Sequence, residues 1–139
     1  MNFKRIPASL LLALTFLATG RAEEKSDPLI ARGSYLVNQV GMCNDCHSPR
    51  GERGEFIPGK QLTGSVLGFA PTVPMPVWAP AAPAIAGLEG FTTEQAVHFF
   101  MMGERPGGAP PRPPMPEYRM NHDDAQAIVA YLKSLKQKP

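Results

Sequence analysis

Residues 43–47 read Cys43-Asn44-Asp45-Cys46-His47, two cysteines three apart with a histidine directly after the second. That order is the attachment pattern of a c-type haem. Each thiol adds across one vinyl group, so the two sulfurs must reach neighbouring edges of a single macrocycle. The next residue must then present an imidazole nitrogen to the iron from the same side. One helical turn beginning at Cys43 can supply all three contacts. Other uses of a Cys-x-x-Cys pair fit less well. A zinc site needs two more cysteine or histidine ligands at suitable spacing, and the chain has 2 cysteines in all. A thioredoxin-like pair sits in a βαβ context that does not follow here. A disulfide across so short a loop would be strained and would leave His47 unexplained.

With His47 on one axial side of the iron, the group opposite decides between electron transfer and binding of small ligands. Of the 7 methionines, Met42 is held near the attachment side, and Met101 and Met102 sit with Phe99 and Phe100 in a helical run that reads as core. Met75 lies in a loop and stays open. Met115 and Met120 remain, in Pro113-Pro114-Met115-Pro116-Glu117-Tyr118-Arg119-Met120. Prolines on both sides of Met115 stiffen its loop, so the thioether can be held without help from a helix. Met120 is better placed to close the apolar base of the last helix, so Met115 is the favoured ligand. His98 and His122 read as polar helix residues, with ligation through His98 as the alternative.

Outward from the motif, the chain reads as three helices and long loops. The first runs from about Asp27 to Val40, with Asp27 as cap, Pro28 in the first helical position, and Leu29, Gly33, Leu36, Val37 and Val40 at three- and four-residue spacing. Gly41 ends it. The second runs from Thr93 to Met102, where Thr92 and Gln95 make a capping box and Gly103 a stop. The third runs from His122 to Lys136, capped by Asn121, with Ala125, Ile128, Val129, Leu132 and Leu135 as its apolar face. No segment alternates like a strand. The 16 prolines concentrate between the helices, in Pro71–Pro83 and Pro106–Pro116. They limit the entropy such loops lose on packing against a cofactor.

The N-terminus carries Lys4 and Arg5 before an apolar run from Ile6 to Gly20, the arrangement of a secretory signal. A cut after Ala22 leaves small residues at the expected positions, and a cut after Gly20 competes. Left in place, the run is short of the roughly 20 apolar residues a spanning helix needs. Residues 1–22 are therefore expected to be a signal peptide and 23–139 one domain, exported to a periplasm. Losing Lys4, Arg5 and Arg21 takes the net charge from +2 to −1. No basic cluster marks nucleic-acid binding. A domain this small makes a modest core alone, so a buried porphyrin would be structural as well as functional.

With these residues in hand, the chain resembles the class I c-type cytochromes, and among them the small monohaem bacterial cytochromes that serve dehydrogenases and oxidases. Three stretches carry the likeness: Arg32–Val37 leading into Cys43–Pro49, then Pro114-Met115-Pro116 with Tyr118 and Met120, then Ala130–Leu135. The resemblance implies an all-α fold of three main helices and proline-rich loops around one covalent haem c. Cys43 and Cys46 would tether it, and His47 and Met115 would ligate its iron. It implies that the first and last helices cross closely, with Gly33 receiving Tyr131. It implies that a proline carbonyl after the motif accepts the proton of the ligand histidine, Pro58 being the nearest match by spacing. The stretch Pro71–Pro83 has no counterpart in that pattern. The function implied is one-electron transfer between a periplasmic dehydrogenase or other donor and a terminal oxidase or other acceptor, without catalysis. A haem subunit fixed in a larger oxidoreductase complex, or a haem sensor or peroxidase with a displaceable sixth ligand, are the competing readings.

Overall fold

The structure, a computed structural model, describes residues 27–135; the expected signal segment and Lys136 lie outside them. Helix α1 spans Pro28–Tyr35, and the Asp27 carboxylate starts it by accepting from the Leu29 amide at 2.9 Å. Its last residues widen into a π-helical turn over Leu36–Val40, closed by the Gly41 amide on the Leu36 carbonyl at 2.7 Å. Helix α2 is the short turn Asn44–His47. Helix α3 spans Thr93–Met102, with the Thr92–Gln95 capping box formed in both directions and Gly103 in the left-handed conformation as its stop. Helix α4 spans His122–Ser134, capped by the Asn121 side chain on the Asp124 amide at 2.8 Å. α1, α3 and α4, the three helices expected from the sequence, each start at the expected capping residue; α2 has no side-chain cap.

Two strands were not foreseen: β1, Ser65–Val66, pairs antiparallel with β2, Ala81–Ala82. Two residues per strand leave no alternation to detect, and the pairing depends on a fold-back across the proline-rich loop. Two further differences concern α1. Leu29 is 42% exposed and Val40 50% exposed, so the apolar face expected from Leu29 to Val40 contracts to Gly33, Leu36 and Val37. Val40 lies in the π-helical turn, whose wider winding breaks the periodicity that would have kept it on that face.

α1 and α4 cross at Gly33. A Cβ there would overlap the Ala127 carbonyl and come within 2.7 Å of the Tyr131 Cβ. Ala127 is fully buried, a small residue meeting a smaller one. Around this crossing, Leu36, Val37, Ile128, Val129 and Leu132 join Ala96, Val97 and Phe100 of α3 in one core, which Leu62, Ala86 and Leu88 close from the loops. Phe91, Phe99, Phe100 and Tyr118 run along its edge with successive ring centroids 6.2, 5.3 and 6.2 Å apart.

Arg32 and Asp124 brace the crossing from outside at 2.9 Å. The hydrogen bond from Arg32 holds the Asp124 carboxyl below its ordinary value. A carboxylate with a depressed folded pKa contributes stability above its unfolded pKa and loses it as pH falls through the folded one. Asp124→Asn is therefore expected to lower the urea midpoint slightly at neutral pH and to match the parent in strong acid. The effect stays small because the pair is largely solvated.

Candidate haem site

The chain bends between the π-helical turn and α2 at Gly41 and Met42, with Met42 at a φ of 46°. The Cys43 amide still bonds back to the Val37 carbonyl at 3.0 Å, so α1 positions the start of the motif directly. Cys43 and Cys46 are both half-buried free thiols. Burial pushes the Cys43 thiol up to about 11. A redox-active pair depends on a lowered thiol pKa, so Cys43 lacks the activation that a thioredoxin-like role needs. Among the described residues, no group of three or more His, Cys, Asp or Glu side chains is arranged to hold a metal ion.

His47 is 5% exposed, and its Nδ1 lies 2.7 Å from the Pro83 carbonyl oxygen. A carbonyl only accepts, so Nδ1 carries the proton and Nε2 keeps its lone pair. Burial also pushes the imidazole below its ordinary pKa, against the pull of that hydrogen bond, which favours the neutral form. No buried side-chain nitrogen or oxygen is left unpaired among the described residues, and Nε2 makes no hydrogen bond there. The unbonded nitrogen is therefore the part of the ring that remains accessible. Such a nitrogen, fixed in tautomer by a bond at its other end, is the donor an iron or other metal takes.

The acceptor is Pro83, not Pro58 as spacing suggested. Pro58 is exposed, while the Gly64 amide donates to the His47 carbonyl at 2.8 Å and β1–β2 pairing returns the chain to the ring. The unassigned proline-rich stretch thus ends on the His47 ring.

A second unforeseen feature is a polar chain beside the attachment turn. The Asn38 amide group donates to the Tyr131 hydroxyl at 3.1 Å, and Asn44 donates to the Asn38 carbonyl oxygen at 2.6 Å. Ser48 donates to the Asn44 carbonyl oxygen at 2.6 Å and accepts from the Leu62 amide at 2.8 Å. The chain links the helix crossing, the attachment turn and the following loop. Asn44 and Ser48 lie in or beside the attachment motif and Tyr131 was matched by resemblance, but no residue pattern announces that Asn38 joins them in one chain. Ser48→Ala would strand the buried Leu62 amide and one acceptor of Asn44, so a loss of about 2–3 kcal/mol is expected in urea unfolding. Tyr118 adds a further brace, its hydroxyl donating to the Gly41 carbonyl at 3.1 Å.

Met115 is half-buried but stands outside the hydrophobic core, whereas Met120 packs against that core and bonds through its amide to the Phe100 carbonyl at 3.0 Å. The Met115 loop is tied to the same stretch that holds His47. Ala79 donates to the Pro113 carbonyl at 2.7 Å, and four residues further on Pro83 accepts from the His47 ring. The Cα atoms of Ala79 and Pro83 can lie at most about 14 Å apart. Of the remaining histidines, His98 is exposed beside Glu104 at 3.4 Å, and His122 is exposed beside Asp123 at 3.7 Å. Met75 and Met42 are exposed, and Met101 packs on the core as expected while Met102 is exposed.

A mainly helical fold with two thiols and a tautomer-fixed imidazole on one turn defines a small c-type haem protein. The chain belongs to the Cytochrome c family, whose pattern it matches over residues 30–136. Its cofactor is covalent haem c, and the donor set of Cys43, Cys46 and His47 at α2 and its N-cap suits that group. The chain is also 32% identical over 124 residues to the alcohol dehydrogenase (quinone), cytochrome c subunit of Gluconobacter oxydans (strain 621H), an alignment covering 82% of this chain and 25% of that relative. The chain therefore spans about a quarter of that relative's length. No helix among the described residues is long and apolar enough to cross a membrane.

Proposed function

We propose that this protein is a periplasmic one-electron carrier, exported by residues 1–22 and working as the domain 23–139 between a dehydrogenase or other donor and an oxidase or other acceptor. The observation that carries this reading is the His47 imidazole, tethered at Nδ1 to Pro83 with Nε2 left to ligate. Cys43 and Cys46 would form the two thioethers, and His47 and Met115 would ligate the iron. The haem supplies a single iron that stores one electron by passing between ferric and ferrous. The residues around it act by holding still. Pro83 fixes the imidazole's orientation, the Asn38–Asn44–Ser48 chain stiffens its turn, and the Met115 thioether would raise the iron's reduction potential. With His47 and Met115 both holding the iron, no substrate would have to enter. A partner would dock by transient contact over the haem edge near Cys43 and Cys46.

Carbon monoxide tests this reading. The ferrous protein is expected to keep its spectrum on mixing. A rapid spectral change would instead favour a sensor or peroxidase with a displaceable sixth ligand. Covalent attachment is checked separately, since pigment shed into acidified organic solvent would contradict the thioether assignment.

A second reading, a haem subunit fixed in a larger complex, draws on another feature. No charged residue occurs between Lys60 and Glu89, and Val66, Phe69, Val73 and Val77 of that stretch are exposed. Contacts made by such a surface are indifferent to salt, whereas charge-steered carriers release their partners as ionic strength rises. Co-purification with a dehydrogenase in high salt would favour the fixed subunit over the diffusing carrier.

A further inference from the structure

The loop carrying Met115 has an unusual shortage of hydrogen-bond donors. Between Pro110 and Pro116 every residue except Arg112 and Met115 is proline, so only those two carry a backbone N–H. The Met115 amide is used within the loop, donating to the Arg112 carbonyl at 3.1 Å. A tie from this loop to its neighbour must therefore be made by carbonyls accepting or by a side chain donating. Both occur, and both converge on the same three residues. The Pro113 carbonyl accepts from Ala79, while Arg112 donates through Nε to the Val77 carbonyl at 3.1 Å and through Nη2 to the Trp78 carbonyl at 2.9 Å.

We propose that Arg112 is a positioning residue for the sulfur ligand, its guanidinium clamping the Met115 loop to Val77 and Trp78 so that the thioether stays at its post. The proposal rests on Met115 being the sixth ligand. Arg112 has no carboxylate partner among the described residues, so its donors are free for the two backbone carbonyls. A guanidinium presents two such donors in a rigid fork, and a lysine ammonium does not. The stretch it grips continues through β2 to Pro83, the anchor of His47. Loosening the clamp therefore frees the sulfur side while the nitrogen side keeps its own tether.

Imidazole added to the ferric protein reads this out, because it binds only when the methionine has left. Its apparent affinity scales with the fraction of molecules in the open state. Arg112→Gln is expected to raise that affinity about tenfold, and Arg112→Lys by an intermediate factor, as two charge-assisted bonds are lost or halved. Arg53→Gln, an exposed substitution in another loop, should leave it unchanged. The urea midpoint is measured alongside. The proposal is overturned if Arg112→Gln binds imidazole like the parent, or if its gain in affinity only follows a fall in global stability. Met115→Ala separates the two levels. If that variant keeps the sulfur-to-iron band, the ligand assignment is wrong and the clamp falls with it. If it loses the band while Arg112→Gln behaves like the parent, the clamp alone is wrong.

Discussion

Met115→Ala is expected to lose the far-red sulfur-to-iron charge-transfer band of the ferric protein, and Met120→Ala to retain it. The two residues lie five apart in one loop, yet their settings differ. Met120 packs on the core beside α3 and is anchored through its backbone to Phe100. Truncating it should cost about 2–4 kcal/mol in urea unfolding by leaving a gap. Met115 stands outside that core, so shortening it removes little packing. Its loss should lower the reduction potential by on the order of a hundred millivolts or more, within the ~0.8 V range that axial ligands span. Carbon monoxide should then bind the ferrous variant rapidly. A band that survives in Met115→Ala and vanishes in Met120→Ala would reverse the assignment.

Gly33→Ala should damage the fold more than any other single methyl group. The added carbon overlaps the backbone carbonyl of Ala127, which cannot rotate away as a side chain would. α1 and α4 would have to separate, disturbing the packing of Leu36, Val37, Ile128 and Leu132 and stretching the Arg32–Asp124 pair. A cost of at least about 3 kcal/mol follows, at the upper end for overpacking and a large share of the 5–15 kcal/mol that holds a domain together. Urea unfolding measures it, and a midpoint within experimental error of the parent would show that the crossing is looser than its geometry. Because haem attachment is covalent, the variant should stay coloured even as its helices loosen.

Much of this was legible in the residues. Asp27, the Thr92–Gln95 box, Gly103 and Asn121 announce the helix ends because capping is a local bargain between a side chain and a backbone group a few positions away. Gly33 and Tyr131 were matched by resemblance, and the structure seats them against each other. Other features had no such signal. The burial of Ala127 follows from how α1 lies on α4, and no residue pattern in Leu36–Val40 marked the π-helical turn. The exposure of Leu29 and Val40 shows that periodicity marks a face without saying how much of it a neighbour will cover.

What the amino-acid sequence determined alone is therefore everything written in side chains at short range: the attachment turn, the three helices and the caps that bound them. Tertiary structure decided which proline holds His47 and where the Met115 loop is fastened. The reason is that these ties end on backbone carbonyls, at Pro83, Pro113, Val77 and Trp78. Every residue carries a carbonyl, so no residue type advertises the one that will be used. Only the return of the chain through β1 and β2 selects it.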